Sequence, residues 1–320
     1  MKRREFITAL GVAATWPFAA RAQQAGRTYR RLGALMGHPR DVPVNVAFLE
    51  QFPRYGFIEG QNLAVDWRVF GKGLGLIAAE LVSARVDVIA TAGEEATRAA
   101  QRATKTIPIV AAVDDLLGSG LVQSLARPEG NTTGVNFLAV DPDGKRQDLL
   151  IEAVPGLRRL GALIDVNNTA AKLEALQEAA RAKNVELSIY RIARGEEIAP
   201  AIDTAHASSA AALNIFASVL LWSHRQLIMD RAAALHLPTM HGFPEEAEEG
   251  AFAAYGPRLG PLFAEVMPQQ IIKLFRGAKV ADVPVEQPTK FELVINLKTA
   301  KAMGVTVPEA LLVRADKVIE

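Results

Sequence analysis

A six-residue run occurs twice in this chain. Arg30-Arg31-Leu32-Gly33-Ala34-Leu35 returns as Arg158-Arg159-Leu160-Gly161-Ala162-Leu163, each copy followed by one more apolar residue (Met36, Ile164) and then a turn. Short apolar runs bounded by turns read as buried strands. Each copy also opens a stretch in which strand-like and helix-like patterns alternate. The duplication therefore predicts two similar α/β units in succession. Two lobes side by side leave a cleft, and clefts bind small molecules.

The bulk numbers agree. At 320 residues the chain is long enough for two domains, each with its own core. Half of the residues are hydrophobic, and 36 basic residues stand against 35 acidic ones. Nothing in that balance points to a nucleic-acid partner. There are no cysteines, which excludes disulfides, thiolate metal sites, a cysteine nucleophile and lipidation of an N-terminal Cys.

Residues 1–22 read as an export signal. Lys2-Arg3-Arg4 is a basic start, Phe6 to Ala20 is mildly apolar, and Ala20-Arg21-Ala22 is a small-x-small cleavage site. Arg3-Arg4-Glu5-Phe6-Ile7 resembles the twin-arginine signal, and the weak hydrophobicity around Thr8, Gly11 and Thr15 suits that route. Cleavage removes Lys2, Arg3, Arg4, Arg21 and Glu5, a net +3, so the mature chain falls from +1 to −2. No later stretch is long and apolar enough to span a bilayer. The expectation is a soluble, monomeric periplasmic protein, not a lipoprotein and not inserted in a membrane.

In the first lobe the pattern predicts strands at Leu32–Met36, Leu63–Arg68, Val86–Thr91, Ile107–Val113 and Thr133–Phe137. Helices are expected at Asn45–Tyr55, Leu74–Ala84 and Glu94–Thr104, with a short one at Gly120–Arg127. In the second, strands are expected at Leu160–Asp165, Glu186–Tyr190, Ala212–Phe216, Pro238–His241 and Ala251–Tyr255. The helices between them are Lys145–Val154, Ala170–Lys183, Ile198–Ala207 and His224–Leu235. Such alternation implies parallel sheets covered on both faces. A helix at Leu262–Arg276, a strand at Phe291–Leu297 and a final helical stretch remain. This surplus returns across the boundary and makes a multi-segment hinge. Lobe one is expected to hold residues 28–135 plus 258–285, and lobe two 138–255 plus 286–320.

Several segments resemble the substrate-binding proteins of ABC transporters, in the family that includes tryptophan- and tyrosine-type binding proteins. They are Gly56-Phe57-Ile58-Glu59-Gly60-Gln61-Asn62-Leu63, Ala78-Ala79-Glu80-Leu81-Val82, Thr106-Ile107-Pro108-Ile109-Val110 and Gly118-Ser119-Gly120-Leu121-Val122. Leu125-Ala126-Arg127-Pro128-Glu129-Gly130-Asn131-Thr132-Thr133-Gly134 is another, and the run from Gln287-Pro288-Thr289-Lys290-Phe291 to Ala302 is the strongest. The resemblance covers nearly the whole mature chain and implies the type I periplasmic-binding-protein fold. It also implies a role as receptor for a small solute, delivering to an inner-membrane ABC permease. The chain departs from the family at Phe70-Gly71-Lys72-Gly73-Leu74-Gly75, at Pro53-Arg54-Tyr55, and at Gly93-Glu94-Glu95, where small residues are usual. The last departure falls in the expected ligand site.

No catalytic constellation is present. Gly71-Lys72-Gly73-Leu74-Gly75 lacks phosphate-loop spacing. The five histidines (His38, His206, His224, His236, His241) show no metal-ligand pattern, and no serine sits in a GxSxG elbow. Asp114-Asp115 are adjacent, so one is expected to face the cleft and the other solvent. Neither an enzyme nor a cofactor is expected. The alternative reading is an exported enzyme or cofactor carrier on the same two lobes. A ligand-sensing regulator is a weaker third, because no DNA-reading helix-turn-helix precedes Leu32.

Ligands of open parallel sheets sit beyond the C-terminal strand ends. In lobe one this rule selects Gly37, His38, Thr91, Gly93, Glu94 and Asp114; in lobe two it selects Asn167 (beside Asn168), Ser218 and Phe243. Asn136 and Tyr255 lie near the crossovers. The helix opening at Gly93 offers N–H groups to a carboxylate, Asp114 or Glu94 suits an ammonium, and Phe243 and Tyr255 offer an aromatic face. With the resemblance, this predicts an amino-acid-like solute, aromatic or branched.

Overall fold

The structure is a computed structural model and describes residues 29–71, 73–137, 142–167 and 173–320. The export signal, Lys72, Asn168 and the expected helix start at Ala170 lie outside the described residues. The two copies of the repeat open different sheets. The first forms β1 (Arg30–Met36), and the second supplies most of β6 (Arg159–Asp165).

The first sheet contains β1, β2 (Leu63–Val69), β3 (Val88–Ala92), β4 (Ile109–Val113) and β5 (Thr132–Asn136), in the order β2-β1-β3-β4-β5, all parallel. The second adds to β6 the strands β7 (Glu186–Ile192), β8 (Ala212–Ile215), β9 (Thr239–His241), β10 (Ala253–Gly256), β11 (Glu292–Asn296) and β12 (Lys317–Ile319). Its order is β12-β11-β10-β9-β8-β6-β7. Each repeat strand is therefore flanked by the next two strands of its own sheet, β1 by β2 and β3, β6 by β7 and β8. Those are equivalent places in two doubly wound α/β lobes, and each is a switch point whose C-terminal edge can hold a ligand. The strands β4 and β5 are buried along their whole length, as expected for parallel strands covered on both faces.

Not every pairing is parallel. β11 runs antiparallel to β10. The chain leaves β10 at its cleft-side end, passes through the other lobe, and returns at that same end. It must then run backwards along β10, and β12 follows parallel to β11, where only helix was expected.

The crossing helix Met267–Phe275 packs on the five-stranded sheet. Ile271, Ile272 and Phe275 share a core with Phe48, Phe52, Val110 and Val135. Phe48 meets Phe52 at 5.5 Å and Phe263 at 5.4 Å between ring centroids, contacts worth about 0.5–1.5 kcal/mol each beyond burial alone. Gln270 donates through Nε2 to the carbonyls of Gly134 and Pro284, 2.9 and 3.0 Å away. Gly134 is held at φ +149°, where any Cβ would run into the Ala111 backbone. Only glycine lets β5 lie this close to β4.

Local chemistry explains the other differences from the sequence reading. The helix expected over Asn45–Tyr55 breaks into Pro43–Leu49 and Gln51–Arg54. Pro53 has no N–H for the Leu49 carbonyl and its ring crowds that group. Gly120–Arg127 is not helical: nested turns run from Asp115, with Gly120 in the left-handed region at φ +69°. Two helices were missed. Val219–Ser223 starts on Ser218, whose hydroxyl accepts the Leu221 N–H at 3.1 Å. Pro244–Glu249 has proline in its first turn followed by Glu245 and Glu246, a helix-start pattern legible in the sequence.

Candidate functional site

A cavity of about 380 Å³ lies between the two lobes, bounded by the C-terminal edges of both sheets. That is within the range of small-molecule sites. From the five-stranded side it is lined by Gly37 and His38 after β1, by Gly93, Glu94 and Glu95 after β3, and by Asp114 and Asp115 after β4. From the seven-stranded side come Asp165 and Asn167 at the end of β6, Ser218, Val219, Leu220, Trp222 and Ser223 after β8, and Phe243 after β9. Phe70, Phe137 and Phe263 complete an aromatic wall.

The lobes touch at the mouth. Val219 sits against two glycines of the opposite lobe: a Cβ at Gly37 would overlap its Cγ1, and one at Gly93 (φ +84°) would come within 3.1 Å of its Cγ2. His38 Nε2 and Ser223 Oγ are 3.0 Å apart, and the His38 ring meets Trp222 edge-on at 4.8 Å. Trp67 donates its indole N–H to the His38 carbonyl at 3.0 Å. Burial, with Arg225 and His224 nearby, pushes the His38 imidazole below its ordinary pKa, so it is neutral at pH 7. Phe137 and Phe243 stack edge-on at 5.9 Å at the hinge end.

The charged groups of the wall are acids. Asp114 follows β4, half-buried and lining the cavity. It has no hydrogen bond or ion pair among the described residues. Burial pushes its carboxyl up to about 8, reinforced by the negative charges of Asp143, Asp165 and Glu94 and opposed by Arg146. Asp165 is also raised by burial, and is partly compensated by the Asn167 N–H at 2.9 Å and by the Ser218 hydroxyl. Glu94 pairs with Arg98 one turn along its helix, at 2.7 Å. Asp115 accepts the N–H groups of Leu117 and Gly118 through Oδ1 at 3.1 and 2.8 Å. Both members of the Asp114-Asp115 pair therefore line the cavity, where one was expected to face solvent.

Of the residues singled out from sequence, Gly37, His38, Gly93, Glu94, Asp114, Asn167, Ser218 and Phe243 line the cavity. Thr91, Asn136 and Tyr255 do not. The Thr91 hydroxyl is 2.8 Å from that of Thr97, in the sheet-to-helix layer. Asn136 takes the Leu116 N–H on Oδ1 at 2.6 Å, which fixes the turn that carries Asp114 and Asp115. The Tyr255 ring packs on Phe291 at 6.0 Å, and its carbonyl accepts from Arg146 Nε at 2.9 Å. The helix opening at Gly93, read as a cradle for a carboxylate, brings Glu94 and Glu95 in its own first turn. Asp165 and Trp222 were missed. Asp165 ends β6 just as Asp114 follows β4, so the strand-end rule applied one residue earlier reaches it.

Among the described residues no helix is long and apolar enough to cross a membrane. A family model described as ABC transporter substrate binding protein matches residues 58–319. A tyrosine-binding protein of Clostridioides difficile (strain R20291) is 26% identical over 282 residues, which is 85% of this chain and 79% of that protein. Two solved structures cover 91% of this chain and 100% of their own, each at 23% identity. One is a conserved domain protein from Vibrio cholerae, with a TM-score of 0.81. The other is an ABC domain in complex with L-Trp from Streptococcus pneumoniae, with a TM-score of 0.79.

Proposed function

This chain belongs to the ABC transporter substrate-binding protein family, and from that premise we propose that it is the periplasmic receptor of an importer. It closes its two lobes on one small amino-acid-like solute and hands it to an inner-membrane permease. The observation that carries this reading is the cavity, walled by both sheets and lined by the Asp114 carboxyl, which no cation pairs with among the described residues, and by aromatic rings. Those two features match an amino cation joined to a flat apolar body. The tyrosine-binding relative and the L-Trp complex support the same solute class.

The moving bodies are residues 28–135 with 258–285, and 138–255 with 286–320. The solute, held by both, shifts the population toward the closed form, which the permease recognises. In this reading the chain acts by binding alone, in keeping with its membership of a substrate-binding family. Export rests on residues 1–22, and the twin-arginine route on Arg3-Arg4.

A thermal-shift screen across amino acids, aromatic acids, amines and sugars tests the solute class. A ligand at about 100 times its dissociation constant adds roughly 2.7 kcal/mol of stability. Stabilisation by sugars alone would overturn the reading. So would an unchanged response to the best solute after Phe243→Ala or Trp222→Ala.

A further inference from the structure

Resting on the substrate-binding reading above, we infer that the solute is an aromatic amine without a free carboxylate, its ammonium clamped between Asp114 and Asp165 from opposite lobes. The first ground is charge. No Lys or Arg lines the cavity among the described residues, whereas five carboxylates do: Glu94, Glu95, Asp114, Asp115 and Asp165.

The nearest cations are committed elsewhere. Arg98 binds Glu94 and the Ser119 carbonyl. Arg146, fully buried behind the wall and not lining the cavity, holds Asp143 at 2.6 Å and the Tyr255 carbonyl, with its Nη2 left without a partner among the described residues. Arg225 pairs with Glu249 and donates to the Trp222 carbonyl. The side-chain donors on the wall are neutral: the Ser218 hydroxyl is engaged with Asp165, and the Trp222 indole N–H has no acceptor among the described residues. An incoming carboxylate would be desolvated with no cation to meet it.

The helix start at Gly93 does not change this. Its N–H groups favour anions, but Glu94 and Glu95 in the same turn already supply negative charge.

The second ground is position. Asp114 and Asp165 are wall acids that no cation pairs with among the described residues; the charge of Asp165 raises the proton affinity of Asp114, and burial raises that of Asp165. One follows β4 of the first sheet and the other ends β6 of the second. Two carboxyls facing each other across closing lobes do not both ionise without a cation between them, and in the empty cavity Asp114 keeps its proton at neutral pH. An ammonium supplies three N–H donors and lets both acids ionise against it. A metal ion would answer the same charge, but the described residues hold no group of three or more acids and histidines able to ligate one.

The test is calorimetric titration of the mature chain near pH 7 with two matched series. One is tyramine, tyrosine amide, tyrosine and 3-(4-hydroxyphenyl)propionate; the other is tryptamine, tryptophan amide, tryptophan and indole-3-propionate. In at least one series the amine and the amide are expected to bind at least about tenfold tighter than the amino acid, and the acid lacking nitrogen not at all. Asp114→Asn and Asp165→Asn should each lower amine affinity by at least about tenfold and shrink the amine-to-amino-acid ratio, with melting curves confirming that each variant is folded. An amino acid that binds as tightly as its amine, or tighter, overturns the inference and leaves the importer reading standing. Amine affinity unchanged in both variants overturns it as well. Failure of every compound in both series to bind overturns the aromatic-solute reading itself, and the charge assignment with it.

Discussion

Replacing Asp114 with Asn should make the unliganded protein more stable at neutral pH. In the unfolded chain this carboxyl titrates near 3.8, and in the folded cavity it is pushed up to about 8. Between those values the unfolded state gives up a proton that the native state keeps. The native state then binds more protons than the unfolded one, so stability falls as pH rises through this window and levels off above the folded pKa. Each pH unit is worth about 1.4 kcal/mol, and roughly four units separate the two values. Water entering the cavity relaxes part of the burial term, which brings the expected differential near 3–5 kcal/mol between about pH 4 and pH 8. Asn has nearly the same shape and no such titration. Urea unfolding of both proteins at several pH values reads the difference directly. The wild type should lose stability relative to Asp114→Asn at up to about 1.4 kcal/mol per pH unit between roughly pH 5 and 7, with the gap levelling off above about pH 9. Two stability profiles that stay parallel across this range would refute the argument, because a carboxyl with an ordinary pKa contributes no such slope.

Other changes follow from the same geometry. Gly37→Ala places a Cβ into Val219 of the opposite lobe, so it should block full closure and weaken solute binding at least about tenfold, with little change in the melting temperature of the unliganded protein; unchanged affinity would show that closure does not pass through this contact. Arg146→Met removes the cation from the buried ion pair with Asp143 at 2.6 Å and should cost about 3–5 kcal/mol in chemical denaturation; a loss below about 1 kcal/mol would mean that the pair adds little beyond the desolvation of its two charges. Arg3→Lys together with Arg4→Lys should leave the precursor in the cytoplasm, as judged by fractionation and N-terminal sequencing of the product expected to begin near Gln23. Normal export of that double variant points instead to the general secretory route.

Much of the architecture was legible because the relevant forces are local. Apolar β-branched runs such as Ile109–Val113 have one stable use in a chain of this size, a strand covered on both faces, and the alternating helices supply the covers. The repeat marks the strand at the switch point in each lobe. The departures come from contacts that sequence periodicity does not encode. The antiparallel entry of β11 follows from the route of the crossing helix, a long-range property. The turn at Asp115–Val122 is held partly by Asn136, 20 residues beyond Leu116. Pro53, by contrast, was visible in the sequence; its ring acts a full turn upstream, which moves the helix break back to Glu50.

The site was legible only as far as the strand-end rule reaches. That rule finds where ligands sit but not which side chains turn toward them, and so it selected Thr91 and Asn136 alongside Gly93 and Asp114. Thr91 points into the layer beneath its helix because a buried hydroxyl needs a partner and Thr97 is the one in reach. Asn136 serves a backbone N–H for the same reason. Asp114 is the opposite case: a carboxyl that could have been satisfied by a nearby donor and is left without one. Arg146 is close enough to lower its proton affinity, yet pairs with Asp143 instead. An unpaired acid in an enclosed cavity lowers the stability of the empty protein, and the same deficit raises the affinity for a cation that fills it. The stability profile of Asp114→Asn and the amine selectivity are therefore two readings of one free energy. If the first shows no titration near pH 8, the second loses its physical basis.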